Sequence, residues 1–129
     1  MISTPNISAI RSRFRWFVTG HHNKGKVPLA EKKPHPSHHV SLISFPELRY
    51  LLHVNGFEIE SITSNRIKAI SWLYSILFPI LYVFTKWIYS TEKDPVQKEL
   101  NHEIFDQVMT RSILFGETMI VKARKRQIL

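Results

Sequence analysis

The chain has 129 residues, of which 43% are hydrophobic and 22% charged, with no cysteine and a formal net charge of +8. That length supports one small domain with one core. The composition excludes a disordered chain, and the missing cysteine excludes disulfides, cysteine-ligated zinc and a thiol nucleophile.

A cysteine-free chain suits a reducing compartment, so the cytoplasm is the expected location. The pI near 10.0 favours anionic partners. Much of the excess lies towards the ends, in Arg11, Arg13, Arg15, Lys24 and Lys26 and again in Lys122, Arg124, Lys125 and Arg126. Scattered solvated charge explains this better than a nucleic-acid footprint, which would cluster on one face, so nucleic acid is not an expected partner. The opening "MISTPNISAIRSRF" has no apolar run after a basic start and does not read as a secretory signal.

Taken in order, Ile2 followed by Ser3, Thr4, Pro5 and Asn6 looks like the end of a buried strand and its exit turn. Ile7, Ile10, Phe14, Phe17 and Val18 then recur at three- and four-residue spacing. They predict a helix with one apolar face, capped by Asn6, ended by Gly20, with most arginines on the other side. The next stretch, "HHNKGKVPLAEKKPHPSHHV", has no period and is punctuated by Gly25, Pro28, Pro34 and Pro36. It reads as a loop of about twenty residues, a length often used for lids or binding loops.

"SFPELRYLLHVNGFEIESITSN" is the clearest signal in the chain. Ser44 caps a helix, Pro46 occupies its first turn and Glu47 completes a capping box. Leu48, Leu51, Leu52 and Val54 supply the buried stripe, and Gly56 takes the left-handed position beyond the end. Phe57, Ile59 and Ile62 then alternate with polar residues, predicting a half-buried strand over 57–63.

Residues 66–89, "RIKAISWLYSILFPILYVFTKWIY", are apolar nearly all round, and no charge falls between Ala69 and Thr85. Three readings stay open. They are a buried or kinked helix pair broken at Pro79, a membrane-surface or re-entrant segment, and a membrane span of borderline length. Trp72, Phe78 and Trp87 are the candidate membrane contacts, with Tyr74, Tyr82 and Tyr89 as further interfacial aromatics. Another helix follows, capped by Asp94, with Pro95 first and Gln97 closing a box. Leu100, Ile104, Phe105 and Val108 form its stripe. After Gly116, Met119 and Val121 alternate with Ile120 and Lys122, predicting a second strand over 117–123. The two strands pair most simply as an antiparallel edge pair, with a helical insertion over 66–110 between them. Two strands need a larger sheet to join, and the only other strand material is the stub at Ile2.

The pieces "ISTPNISAIRSRFRWFVTG", "HHVSLISFPELRYLLHVNGFEIESI" and "LFGETMIVKARK", in that order, resemble the class I S-adenosylmethionine-dependent methyltransferases, in particular the methyltransferase type 11 group. The resemblance covers nearly the whole chain and is weakest through 66–89. It implies an α/β fold, with residues 1–129 forming one partial domain, the C-terminal part of a Rossmann-like methyltransferase. The family holds its cofactor in the other half, on an acidic-Gly-x-Gly-x-Gly loop. This chain has four glycines, Gly20, Gly25, Gly56 and Gly116, and no Gly-x-Gly. The expectation is therefore a substrate-side portion that neither binds S-adenosylmethionine nor transfers methyl groups alone, with the missing N-terminal half or another chain as a partner.

The resemblance also implies the site residues. Asn6 and Thr4 would lie at the carboxyl end of a central strand, where open α/β sheets bind ligands. Asn6 as a plain helix cap is the simpler alternative. His39, eight residues before Glu47, matches the histidine that faces the acceptor pocket, where its ordinary pKa near 6.5 suits proton transfer or hydrogen bonding. A solvated loop histidine is again the simpler reading. His21, His22, His35, His38 and His39 do not make a metal site by pattern, since they sit in a loop without a paired acidic ligand. No Ser-His-Asp set or paired carboxylates are readable. A different class of function also fits the sequence: a small basic membrane-surface or protein-interaction protein using the apolar segment 69–89.

Overall fold

The computed structural model describes residues 1–28, 31–32 and 41–126. Among them, β1 (Ile2–Pro5) leads into α1 (Ile10–Thr19), and α2 (Phe45–Val54) leads into β2 (Phe57–Ser64). A 3₁₀ helix (Ala69–Leu77), α3 (Phe78–Ser90), α4 (Pro95–Val108) and α5 (Arg111–Phe115) follow, and β3 (Thr118–Lys125) comes last. The fold is mixed α/β around a three-stranded antiparallel sheet of order β1–β3–β2.

The last strand is the middle one. Ile2 of β1 and Ile62 of β2 both sit opposite Val121 of β3, and Thr4 and Ser64 both sit opposite Met119. Because side chains alternate along a strand, these residues share one face of the sheet. The predicted pair is therefore present, over Phe57–Ser64 and Thr118–Lys125. The strand material it joins is the stub at Ile2, because β1 pairs with the other side of β3. Expected to be buried, β1 has a strand on one side alone among the described residues, and Ile2 is exposed. The opposite face is polar: Glu60, at an irregularity between Ile59 and Ser61, pairs with Lys122 at 2.8 Å and Arg124 at 3.5 Å.

Helices α2, α4 and α5 cover the apolar face. Phe45, Leu48, Leu52, Val108, Ile113, Met119 and Val121 form the main core, and a second cluster gathers Ile10, Leu114 and Phe115. Burying a large aliphatic or aromatic side chain contributes about 1.5–3 kcal/mol, so the seven-residue core dominates stability. The α2 signals appear as read. Glu47 accepts hydrogen bonds from the Ser44 backbone N–H at 2.8 Å and its hydroxyl at 2.6 Å, and Gly56 has φ 79°. That φ strains any side-chain-bearing residue, so glycine fits the turn from α2 into β2.

Several expectations are corrected. Asn6 does not cap α1, whose N-cap is Ala9. Gln97 closes no box and donates instead to Asn101 Oδ1 at 2.9 Å, while Asp94 caps α4 by accepting from the Val96 N–H at 3.0 Å. Leu51, Val54 and Leu100 are exposed, and Phe14, Phe17 and Val18 on the apolar face of α1 are exposed as well. The helical insertion runs on through α5 to Phe115 rather than ending at 110. The 66–89 segment divides at Leu77/Phe78, with Pro79 in the first turn of α3, so the helix pair is real. It is not buried: Ser71 is the only buried residue in its two helices.

Candidate functional site

The carboxyl end of β1 opens onto a cavity of about 510 Å³. Local chemistry places its walls. After a bend at Asn65 the chain runs extended to Lys68, Ile67 bridges Gly116, and Asn65 Oδ1 accepts from the Thr118 N–H at 3.2 Å. Alternation along that extended stretch turns Ile67 towards Ile10, Leu114 and Phe115 and leaves Arg66 and Lys68 on the cavity wall.

The loop after α1 forms the facing wall. His22 Nδ1 lies 3.0 Å from Ser12 Oγ, and the Asn23 N–H donates to the same oxygen at 3.4 Å. Arg15 Nη2 donates to the Lys26 carbonyl at 3.3 Å. These bonds hold the loop back against α1 and bring Lys24 and Lys26 to the cavity, beside Arg11 from the first turn of α1. Burial moves the His22 pKa below its ordinary value, which favours the neutral ring at this contact.

Among the described residues five cations, Arg11, Lys24, Lys26, Arg66 and Lys68, thus line one concavity with a single carboxylate, Glu117. Arg66 Nε lies 2.6 Å from Glu117 Oε2, and Lys68 Nζ and Lys24 Nζ lie 2.8 and 3.5 Å from Oε1. Hydrogen bonds from Arg66 and then Lys68 push the Glu117 pKa down to about 2. Among the described residues Arg11 and Lys26 have no carboxylate within ion-pair distance.

Asn6 sits at the floor, 5% exposed. Its amide nitrogen donates to the carbonyls of Ile113 at 2.8 Å, Gly116 at 2.9 Å and Ser112 at 3.3 Å. Its Oδ1 is buried without a hydrogen-bond partner among the described residues. Asn6 therefore ties β1 to the α5–β3 turn as well as facing the cavity. Thr4 lies elsewhere, opposite Met119 on β1, and does not line the cavity. His39, like His35 and His38, falls outside the described residues.

A second surface runs alongside. Phe14 and Phe17 of α1 face Ile80, Leu81, Phe84 and Ile88 of α3 across an open apolar trough of about 340 Å³. Phe17 is 81% exposed and Ile76, in the 3₁₀ helix, 80%. Of the three predicted membrane contacts, Trp87 is 62% exposed. Trp72 is partly engaged, stacked on Phe115 at 4.8 Å with the Arg111 guanidinium 5.1 Å from its ring. Phe78 is turned inwards onto the second core cluster. Ala69–Ser90 is long and apolar enough to cross a membrane, and only 6% of its most apolar window is buried.

Sequence reading missed the cation cluster because its members lie between positions 11 and 68, and each looks like ordinary surface charge on its own. The one available signal was Arg66 and Lys68 two apart in an extended segment, with Glu117 following the glycine that pairs with it. No family model matches the chain, and neither the curated proteins nor the solved structures gave a match.

Proposed function

We propose that this chain is the acceptor-substrate side of an S-adenosylmethionine-dependent methyltransferase of Rossmann-like fold, and that it is inactive without a cofactor-binding half supplied elsewhere. One observation carries the reading. The strand ending in Thr4-Pro5 lies beside the last strand, in one sheet with both later strands, and Asn6 at its carboxyl end opens onto a polar cavity. Ligands of open α/β sheets bind at that end of the strands. The free side of β1, which has no strand neighbour among the described residues, is where further strands would add. The four glycines include no Gly-x-Gly, so cofactor binding is assigned to the other half.

The test is to read the genomic DNA upstream of the Met1 codon in all three frames. An acidic-Gly-x-Gly-x-Gly sequence there, joined by a frame change or an earlier start, is the expected result. Upstream DNA with no such sequence overturns the reading. Saturable binding of S-adenosylmethionine by this chain alone, measured by calorimetry, would equally overturn the assignment of the cofactor to another half.

A second reading is favoured by the exposed apolar surface of α1, the 3₁₀ helix and α3. Isolated exposed apolar residues need no explanation, but a contiguous exposed patch marks an interaction site. On this reading the chain rests on a lipid surface through Phe17, Ile76, Phe84 and Trp87, with Arg13 and Lys86 beside them. The two readings are compatible for an enzyme whose acceptor is carried in a membrane.

A further inference from the structure

We propose that the cavity at the end of β1 binds the phosphate group of a phosphorylated ligand, whether a free metabolite or a lipid headgroup. The ligand's role as methyl acceptor rests on the acceptor-side reading above, but the binding itself does not.

The charge count is the first argument. Among the described residues five cations and one carboxylate face one concavity. Gathering like charges costs energy unless an anion offsets them. Glu117 shows what the cluster binds: its carboxylate is held by Arg66, Lys68 and Lys24 within 3.5 Å. It offsets one charge and leaves the rest, with Arg11 and Lys26 unpaired among the described residues. A phosphate monoester carries about two negative charges at neutral pH and offers three acceptor oxygens, so it matches this excess better than a second carboxylate does.

Shape is the second argument. A volume of about 510 Å³ lies within the range of about 300–1,000 Å³ typical of small-molecule sites and exceeds what a bare phosphate fills. The walls are held in place. Ser12, His22 and Asn23 fix the loop that carries Lys24 and Lys26, and the Ile67–Gly116 bridge fixes the segment that carries Arg66 and Lys68. Arginine presents a planar fork suited to phosphate oxygens, and lysine adds point charge. Ser71, buried in the lining, adds a hydroxyl.

Glu117 then acts as an internal competitor. It holds Arg66 and Lys68 in position while the site is empty and yields them to a stronger anion. This contact gives the test a direction that nonspecific charge attraction does not.

The experiment is calorimetric titration of the full chain with pyrophosphate and with inorganic phosphate. Saturable one-to-one binding of pyrophosphate is expected. The double variant Arg11→Gln/Lys26→Gln should weaken it by about tenfold or more, since charge-assisted contacts are lost. Glu117→Gln should tighten it severalfold. Lys122→Gln/Arg124→Gln, which removes the same charge from the polar face of the sheet, should leave it unchanged. Sedimentation with phosphatidic acid vesicles against phosphatidylcholine vesicles identifies the source. Retention that pyrophosphate displaces and that Arg11→Gln/Lys26→Gln abolishes points to a headgroup. Pyrophosphate binding without such retention points to a soluble phosphorylated compound. The proposal is overturned by absence of saturable pyrophosphate binding, or by equal weakening in the two double variants. Neither result touches the upstream DNA, so this inference and the methyltransferase reading fail separately.

Discussion

The side-chain amide of Asn6 donates to the Ile113 carbonyl at 2.8 Å across 107 positions of sequence. This bond, with those to Ser112 and Gly116, joins the first strand to the turn that launches the last one. Asn6→Ala leaves buried carbonyls without that donor, and each orphaned buried polar group costs about 1–3 kcal/mol. The expected result is a lower urea midpoint with an unchanged slope. Asn6→Asp should cost more at pH 7, because a carboxylate would then face three carbonyl oxygens. Part of its loss should return on acidification, as protonation restores a donor. A midpoint for Asn6→Asp equal to wild type would show that the amide contributes nothing.

Gly116 is fixed by space rather than by backbone angle. A Cβ there would collide with the Ser112 carbonyl and approach the Ser64 Cβ to 2.5 Å. Gly116→Ala should therefore destabilise the fold by about 1–3 kcal/mol, as overpacking does. Thermal unfolding checks it, and Ser64→Gly in the same chain should recover part of the loss.

The Glu117 carboxylate gives the fold a specific acid sensitivity. Its pKa is held at about 2, below the ordinary 4.5. Its ion pairs therefore stabilise the fold fully above about pH 4.5, and that stability is lost as pH falls from there towards 2. The Glu117 side chain is 15% exposed, but its cationic partners are 38–63% exposed, so the contribution is about 1 kcal/mol or less, as for surface pairs. Glu117→Gln should lower the urea midpoint at pH 7 and flatten its fall between pH 4.5 and 3. An unchanged slope over that range would assign the acid sensitivity to other carboxylates.

The apolar surface makes a separable prediction. Ile76→Glu and Trp87→Glu change residues that are mostly exposed, so thermal unfolding should shift little. Both should reduce flotation with anionic vesicles if the surface meets lipid. A wild-type chain that stays at the bottom of the gradient removes the membrane reading outright.

Elements whose chemistry lies in neighbouring residues were legible in the sequence. Ser44, Pro46, Glu47 and Gly56 define α2 within thirteen residues, and Asp94 with Pro95 starts α4. Long-range roles were not. Asn6 follows a strand and precedes a helix, so it reads as a cap, and nothing nearby reveals carbonyls more than a hundred positions away. Periodicity located the apolar face of α1 but could not say whether anything covers it: Ile10 is buried, while Phe14 and Phe17 are not. Residues 69–77 form a 3₁₀ helix, and an all-round apolar run carries no period from which to read one. The cation cluster joins three segments that only the β1–β3–β2 arrangement brings together.

That arrangement also sets an order of events. Ile2 and Ile62 share Val121 as their partner, so neither outer strand can take its place in this sheet until the chain has been made as far as β3. Most of the polypeptide must be closed into a loop before the first β1–β3 contact is rewarded, a topology that slows folding. During synthesis two strand edges and an uncovered aromatic surface wait together for one late segment. This sheet is most exposed to misassociation just before β3 is made.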